Sequence, residues 1–226
     1  MSDAHLARLL QLASPTLPVG AYSYSQGLES AVEAGIVHDA ASAQRWIGDV
    51  LELSVAAMEA PVLLRLHHAW RAADLAAIEY WNALFLASRE SAELRAETVQ
   101  MGYSLTRLLS ELHEENAMSF TRLQAIDEPA FPTAYACAAA QWRIKPSSAL
   151  IAYLWSWIEN QAMAAIKAVP LGQTAGQKIL LALGAKLDTI AQIAAARADH
   201  ELGNFAPGLA MLSSRHETQY SRIFRS

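Results

Sequence analysis

Few stretches of this 226-residue chain place reactive side chains at spacings that chemistry would need. The nearest to a phosphate loop is Gly172-Gln173-Thr174-Ala175-Gly176-Gln177-Lys178. It has three residues between its glycines where four are needed, and Lys178 does not follow Gly176 directly. It reads instead as the punctuation that starts a helix. Cys137, the single cysteine, has no His, Asp or Glu three or four residues away to share a metal ion. His67 and His68 are adjacent, so on a helix they point to different sides and cannot clamp one ion. His200-Glu201 and His216-Glu217 lack the second histidine of a zinc-protease helix. No Ser/His/Asp or Cys/His set assembles from spacing, although such sets also form from residues distant in sequence. The expectation is no metal site, no cofactor and no catalytic residue; an enzyme is left unsupported.

The stretch that would position anything else is Ser14-Pro15-Thr16-Leu17-Pro18-Val19-Gly20-Ala21-Tyr22-Ser23-Tyr24-Ser25-Gln26-Gly27-Leu28-Glu29. Pro15 and Pro18 each fix φ and remove a backbone donor, so no helix runs through them. Gly20 permits a turn. Ser23 and Gln26 have the spacing of a capping box that would start a helix into Gly27-Leu28-Glu29. The predicted result is an ordered loop presenting Tyr22 and Tyr24, either to a partner or as a cover over the core.

Composition bounds the rest. Apolar residues make up 53% of the chain and charged ones 17%. That implies a heavily buried helical core, or an apolar face covered by a partner. A net charge of −5 argues against a nucleic-acid binder that neutralises phosphates. One cysteine fits a reducing compartment. Met1-Ser2-Asp3-Ala4-His5 does not resemble a signal peptide. The longest apolar run, Ala149 to Ile158, is too short to span a bilayer. The reading is a soluble, cytoplasmic protein that binds neither nucleic acid nor membrane.

The elements are helices throughout, with no alternating strand pattern. Leu6, Leu9 and Leu10 form a short apolar face before the proline loop. Asp39 is placed to cap a helix burying Ala43, Trp46, Ile47, Val50, Leu51, Ser54 and Met58. Pro61 suits the first turn of the next helix, with Leu63, Leu66 and Trp70 inward. Asp74 would cap another, burying Ile78, Trp81 and Phe85. A long helix from about Ser88 to His113 follows, burying Leu94, Met101, Leu105, Leu108 and Leu112. Its Arg89, Glu90, Glu93, Arg95 and Glu97 form a charge run that reads as a solvated face with an Arg89–Glu93 pair, or as a partner-binding strip. Residues 114–132 read as a loop with one short helical turn, broken by Asn116, Pro129 and Pro132. Ala134 to Lys145 is helical until Pro146. Ser147 or Ser148 would cap a central helix through Val169, apolar on most faces. A last helix runs from about Thr174 to Asp199 and buries Leu180, Leu183, Leu187, Ile190 and Ala194. The fold class is all-α, a single-domain irregular bundle of roughly eight to ten helices over 1–226.

Four stretches in order along the chain resemble the urease accessory protein UreF family. They are the loop with Pro15, Pro18, Gly20, Tyr22, Tyr24, Ser25, Gly27 and Glu29; the segment Ser88-Arg89-Glu90-x-x-Glu93-Leu94-Arg95; Pro170-Leu171-Gly172-Gln173-Thr174; and the tail Arg215 to Ser226. The resemblance implies an all-helical, non-enzymatic factor that tends to dimerise. It would join UreD (UreH in some organisms) and the GTPase UreG on apo-urease for nickel insertion. It would regulate GTP hydrolysis or metal release without carrying nickel itself, by binding one UreG state better than another. The alternative is a strict GTPase activator that lends UreG a side chain, an arginine of the tail or of 88–95 being the natural candidate. A helical bundle with an internal small-molecule pocket is a further alternative.

The implied partner-binding residues are Tyr22, Tyr24, Ser25, Gly27, Glu29, Arg89, Glu93, Arg95, Gly172, Gln173, Arg215, His216, Glu217, Tyr220, Arg222, Phe224 and Arg225, while Pro15, Pro18 and Gly20 shape the loop. Two expectations follow for the assembly. The helices over 148–169 or 174–199 would supply an isologous dimer face. The segment from about 204 to 226, with His216, Tyr220, Ile223 and Phe224 sharing one helical face, would be a docking tail that is loose until a partner orders it.

Overall fold

The computed structural model describes residues 3–112 and 118–226. Met1, Ser2, the expected helix end at His113, and Glu114 and Asn116 of the expected loop lie outside the described residues.

Twelve α-helices occur among the described residues, with no strand: α1 (Asp3–Ala13), α2 (Leu28–Glu33), α3 (Ala40–Val50), α4 (Ala60–Ala72), α5 (Leu75–Ala87), α6 (Ala92–Glu111), α7 (Met118–Gln124), α8 (Phe131–Gln141), α9 (Pro146–Ala168), α10 (Gln173–Gly184), α11 (Leu187–Ala196) and α12 (Pro207–His216). The number exceeds eight to ten because α7 and α12 form where loop and tail were expected, and one expected helix divides. None of them is long and apolar enough to cross a membrane.

Local chemistry explains most starts. Asp39 accepts the Ser42 N–H at 2.7 Å and forms a capping box. Asp74 accepts the Ala77 N–H at 3.0 Å. Each satisfies a donor the helix leaves orphaned. The buried faces of α3, α4, α5, α10 and α11 carry the expected residues, although Trp46 on α3 and Trp81 on α5 are only half-buried.

Three boundaries differ from expectation. Between α3 and α4 the chain does not break: residues Leu51–Glu59 form a π-helix with helical backbone at both junctions. The Ala60 N–H still bonds the Val55 carbonyl five residues back, and Pro61, which has no N–H to place, follows in the first turn of α4. Pro146 does not merely end α8. It occupies the first turn of α9, so Lys145 rather than Ser147 or Ser148 is the N-cap. The helix expected over 174–199 divides at Ala185-Lys186 into α10 and α11, bent by 43°.

The core is contiguous from Leu12 to Phe224. Helix α9, 23 residues long, lies at its centre and meets α1, α2, α3, α4, α8, α10 and α11. Its Leu154, Ile158, Ala162 and Ala165 are buried among those neighbours. α8 packs between α4 and α6; its small side chains Ala134, Ala136, Cys137, Ala138 and Ala139, all fully buried, let the helices approach closely.

Candidate functional site

The chain's two ends meet. Gly20 and Gly27 both adopt left-handed backbone, with φ of 80° and 78°. Between them a short 3-10 turn, Ala21–Ser23, projects Tyr22 outward and Tyr24 inward. Tyr22 is 66% exposed and Tyr24 only 6%. The loop thus divides the two tyrosines between surface and core. Burial raises the Tyr24 pKa, with the Glu97 charge adding to it and Arg225 opposing.

The expected Ser23–Gln26 capping box does not form. Gln26 takes a positive φ of 51°, and its amide bridges Glu97 Oε1 at 2.7 Å and Trp157 Nε1 at 2.7 Å. Ser25 substitutes: its hydroxyl accepts the Glu29 N–H at 3.3 Å and donates to the main-chain oxygen of Ser226 at 2.6 Å. The Ser25 and Gln26 N–H groups donate to that same oxygen, and the Arg225 N–H donates to the Ser23 carbonyl at 2.8 Å.

Glu29 is the hub. It is buried, and its carboxylate accepts the backbone N–H groups of Ile223 at 2.7 Å and Phe224 at 2.9 Å. The fully buried His216 lies between Glu29 Oε2 at 3.2 Å and Glu93 Oε2 at 2.7 Å. Glu93 also accepts from Arg222 Nη1 at 2.8 Å. Helix α12 completes the junction, since Ser213 shares a 2.6 Å hydrogen bond with Ser91, the N-cap of α6. Glu217 accepts the Ala92 N–H at 3.1 Å.

The tail is therefore not the loose segment expected. The helix ends at His216, so His216, Tyr220, Ile223 and Phe224 do not share a helical face. Phe224 is 5% exposed, while Tyr220 and Ile223 face solvent. The carboxylates Glu29, Glu93 and Glu97, which no count of tail residues alone could supply, are what hold it.

The charge run at 88–97 is likewise not a solvated face. Arg89 precedes α6 and cannot pair with Glu93; its Nη1 lies 3.5 Å from Glu59 Oε2, and its guanidinium stacks 4.3 Å from the Phe85 ring. Glu59 also accepts the Tyr153 hydroxyl. Glu97 is buried, with Ser226 Oγ donating at 2.9 Å, and its pKa is pushed up to about 7, chiefly by loss of solvent. Glu90 and Arg95 behave as expected, both exposed, with Arg95 pairing with Glu128 on the surface. Gly172 and Gln173 stand apart from this junction, exposed at the start of α10. Arg215 and Arg225 expose their side chains at the tail.

Sequence reasoning missed Glu59, Gln26, Glu97 as a buried acid, and Tyr153. A signal was present for the first: Glu59 interrupts Val55-Ala56-Ala57-Met58 and Ala60-Pro61-Val62-Leu63, where no face is polar. Beside this network lies a cavity of about 200 Å³, bounded by the opening loop, the start of α6 and the second half of α9. His67 is buried with Nε2 at 3.0 Å from the Ile144 carbonyl, whereas His68 is exposed, as their adjacency requires.

The UreF family model matches residues 37–184. The urease accessory protein UreF of Azoarcus sp. (strain BH72) is 60% identical over 223 residues, covering 98% of this chain and 95% of that one. That of Methylobacillus flagellatus is 55% identical over 221 residues, covering 98% and 97%. The bifunctional urease accessory protein UreEF of Bordetella bronchiseptica is 50% identical over 229 residues, all of this chain and 53% of that one. With an all-helical body, a family match over more than half its length and such identity end to end, this chain belongs to the UreF family of urease accessory proteins.

Proposed function

We propose that this protein is a non-enzymatic urease maturation factor, one helical domain that scaffolds UreD/UreH and the GTPase UreG on apo-urease in the cytoplasm while nickel is inserted. The observation that carries this reading is the convergence of the opening loop, the start of α6 and the tail through Glu29, Glu93 and His216. Three separated segments become one rigid surface, from which Tyr220 and Ile223 project unburied. Aromatic and aliphatic side chains held on an ordered backbone bind a partner with little further loss of freedom. A homodimer is supported by Leu181 on α10 and Ile193 on α11, both more than half exposed, whereas α9 is largely covered by its own chain.

The test is co-purification of UreD/UreH and UreG with this chain. Tyr220→Ser with Ile223→Ser should abolish the complex while leaving helix content and melting temperature unchanged. Retention of both partners would overturn the assigned surface. The second reading, a strict GTPase activator, is favoured by the exposure of Arg215 and Arg225; the burial of Arg89 beside Glu59 removes it as a finger. It requires a stoichiometric rise in UreG turnover that one Arg→Ala change removes.

A further inference from the structure

One buried chain of hydrogen bonds joins four separate parts of the fold. Trp157 Nε1 on α9 donates to the Gln26 side-chain oxygen at 2.7 Å, and the Gln26 amide donates to Glu97 Oε1 at 2.7 Å. Glu97 Oε2 in turn meets Ser226 Oγ at 2.9 Å. Glu97 is 5% exposed and Ser226 1%. Both partners of this carboxyl are neutral, and among the described residues no cation forms an ion pair with it. Arg89 turns instead to Glu59. As the neutral acid, Glu97 satisfies both contacts, accepting from Gln26 on one oxygen and bonding the Ser226 hydroxyl with the other. As the anion it is a charge closed off from water without a counter-charge, which is costly.

The surrounding groups do not offset that cost. Tyr24 of the opening loop and Tyr153 of α9 are phenols whose ionisation burial makes harder still. Glu59 of the π-helix adds a like charge that Arg89 opposes. Arg225 of the tail is turned to the Tyr24 hydroxyl. Glu93, one turn back on α6, is engaged by His216 and Arg222. Glu159 and Lys167 on α9 line the neighbouring cavity with opposite signs. Water reaches the carboxylate only if a group covering it moves. Gln26 is pinned by Trp157, whereas Ser226 follows a run, Tyr220 to Ile223, that already lies exposed.

We propose that Glu97 is a proton-operated catch on the tail: as the neutral acid it holds Ser226, and on ionisation it lets residues 225–226 swing away from the opening loop so that water reaches the carboxylate. Burial that pushes the carboxyl up to about 7 sets the range. The closed tail favours the proton, and the open tail the anion. Opening is therefore rarest below about pH 4.5, grows as pH rises towards 7, and levels off above it. If opening restores the ordinary value of 4.5 in full, the gain is about 300-fold, tenfold for each pH unit between the two values. The catch concerns the tail of the free chain and does not depend on the scaffolding role, so the two can fail separately.

The experiment follows hydrogen exchange of the Arg225 amide, which donates to the Ser23 carbonyl, in the full chain at pH 5, 6, 7 and 8. Each rate is divided by that of an unstructured amide at the same pH, and the quotient reports opening. Opening should rise tenfold or more from pH 5 to pH 8 in the unmodified chain, and threefold or less in Glu97→Gln. Amides of α9 should open far more rarely than Arg225 at every pH. A rise below tenfold in the unmodified chain overturns the catch. A rise above threefold in Glu97→Gln does so too, because another group then drives it. Equal opening at Arg225 and in α9 also overturns it, since the whole fold rather than the tail would be opening.

Discussion

Glu29 accepts the backbone N–H of Phe224 at 2.9 Å, so a carboxylate on the first turn of α2 fixes the path of a segment 195 residues later. Glu29→Ala removes the acceptor for two backbone donors and one face of His216. Stability should fall by roughly 2–6 kcal/mol, at about 1–3 for each of the two buried groups left unsatisfied, the Phe224 N–H and His216. Hydrogen exchange should quicken at Ile223 and Phe224 before it does in α9. Unchanged protection there would mean that Ser25 and Arg225 suffice to hold the tail.

Removing residues 217–226 should lower the melting temperature, the opposite of what a loose docking peptide would do. Burial of Phe224 contributes about 1.5–3 kcal/mol, and Glu29, Glu93 and Glu97 lose partners together. Thermal unfolding of the truncated chain against the full one decides the point. Equal melting temperatures would return the tail to the status of an appendage.

Glu97 makes stability depend on pH. Burial raises its carboxyl to about 7 in the folded chain from an ordinary 4.5. Between those values the folded state holds more protons than the unfolded one. The contribution is therefore fully present below about pH 4.5 and is lost as pH rises through 7. At about 1.4 kcal/mol per pH unit, the loss amounts to about 3 kcal/mol. Glu97→Gln keeps the shape of the neutral acid and can still meet Gln26 and Ser226. Denaturant titrations from pH 4.5 to 8 should show the variant gaining on the unmodified protein as pH rises; parallel curves would place the Glu97 pKa near its ordinary value.

Gly102→Ala should be among the most damaging single changes in α6. A Cβ there would lie 1.8 Å from the Pro129 carbonyl oxygen, a backbone atom that no rotamer change can move. A cost of about 3 kcal/mol or more is expected, at or above the upper end for overpacking, read as a drop in the denaturant midpoint. A midpoint within experimental scatter would show that the segment around Pro129 yields easily.

Helix content and the two aspartate caps were legible because they depend on neighbours within a turn. Asp39 and Asp74 reach donors three residues away, and no distant group competes. The same reasoning failed at Gln26, whose side chain is claimed by Glu97 and Trp157 across the fold. Arg89 and Glu93 have the spacing of a helical pair, yet Ser91 starts the helix between them and each side chain finds a remote partner. The π-helix over Leu51–Glu59 carries no local punctuation, since its widening is set by what surrounds it. As for the junction, the tail's own residues looked too few to order themselves. The groups that hold it are carboxylates spread over Glu29 to Glu97, read singly as polar surface.

The seating of the tail also sets a schedule. Ser25 and Ser226 are hydrogen-bonded across 201 residues. At a synthesis rate of roughly 5–20 residues per second, the opening loop waits about 10–40 s for the groups that complete it. During that interval Glu29 and Ser25 have no tail to bind, and the Ser25–Glu29 turn cannot reach its final form. A nascent chain can assemble the helices around α9 early, but the junction that joins loop, α6 and tail forms last.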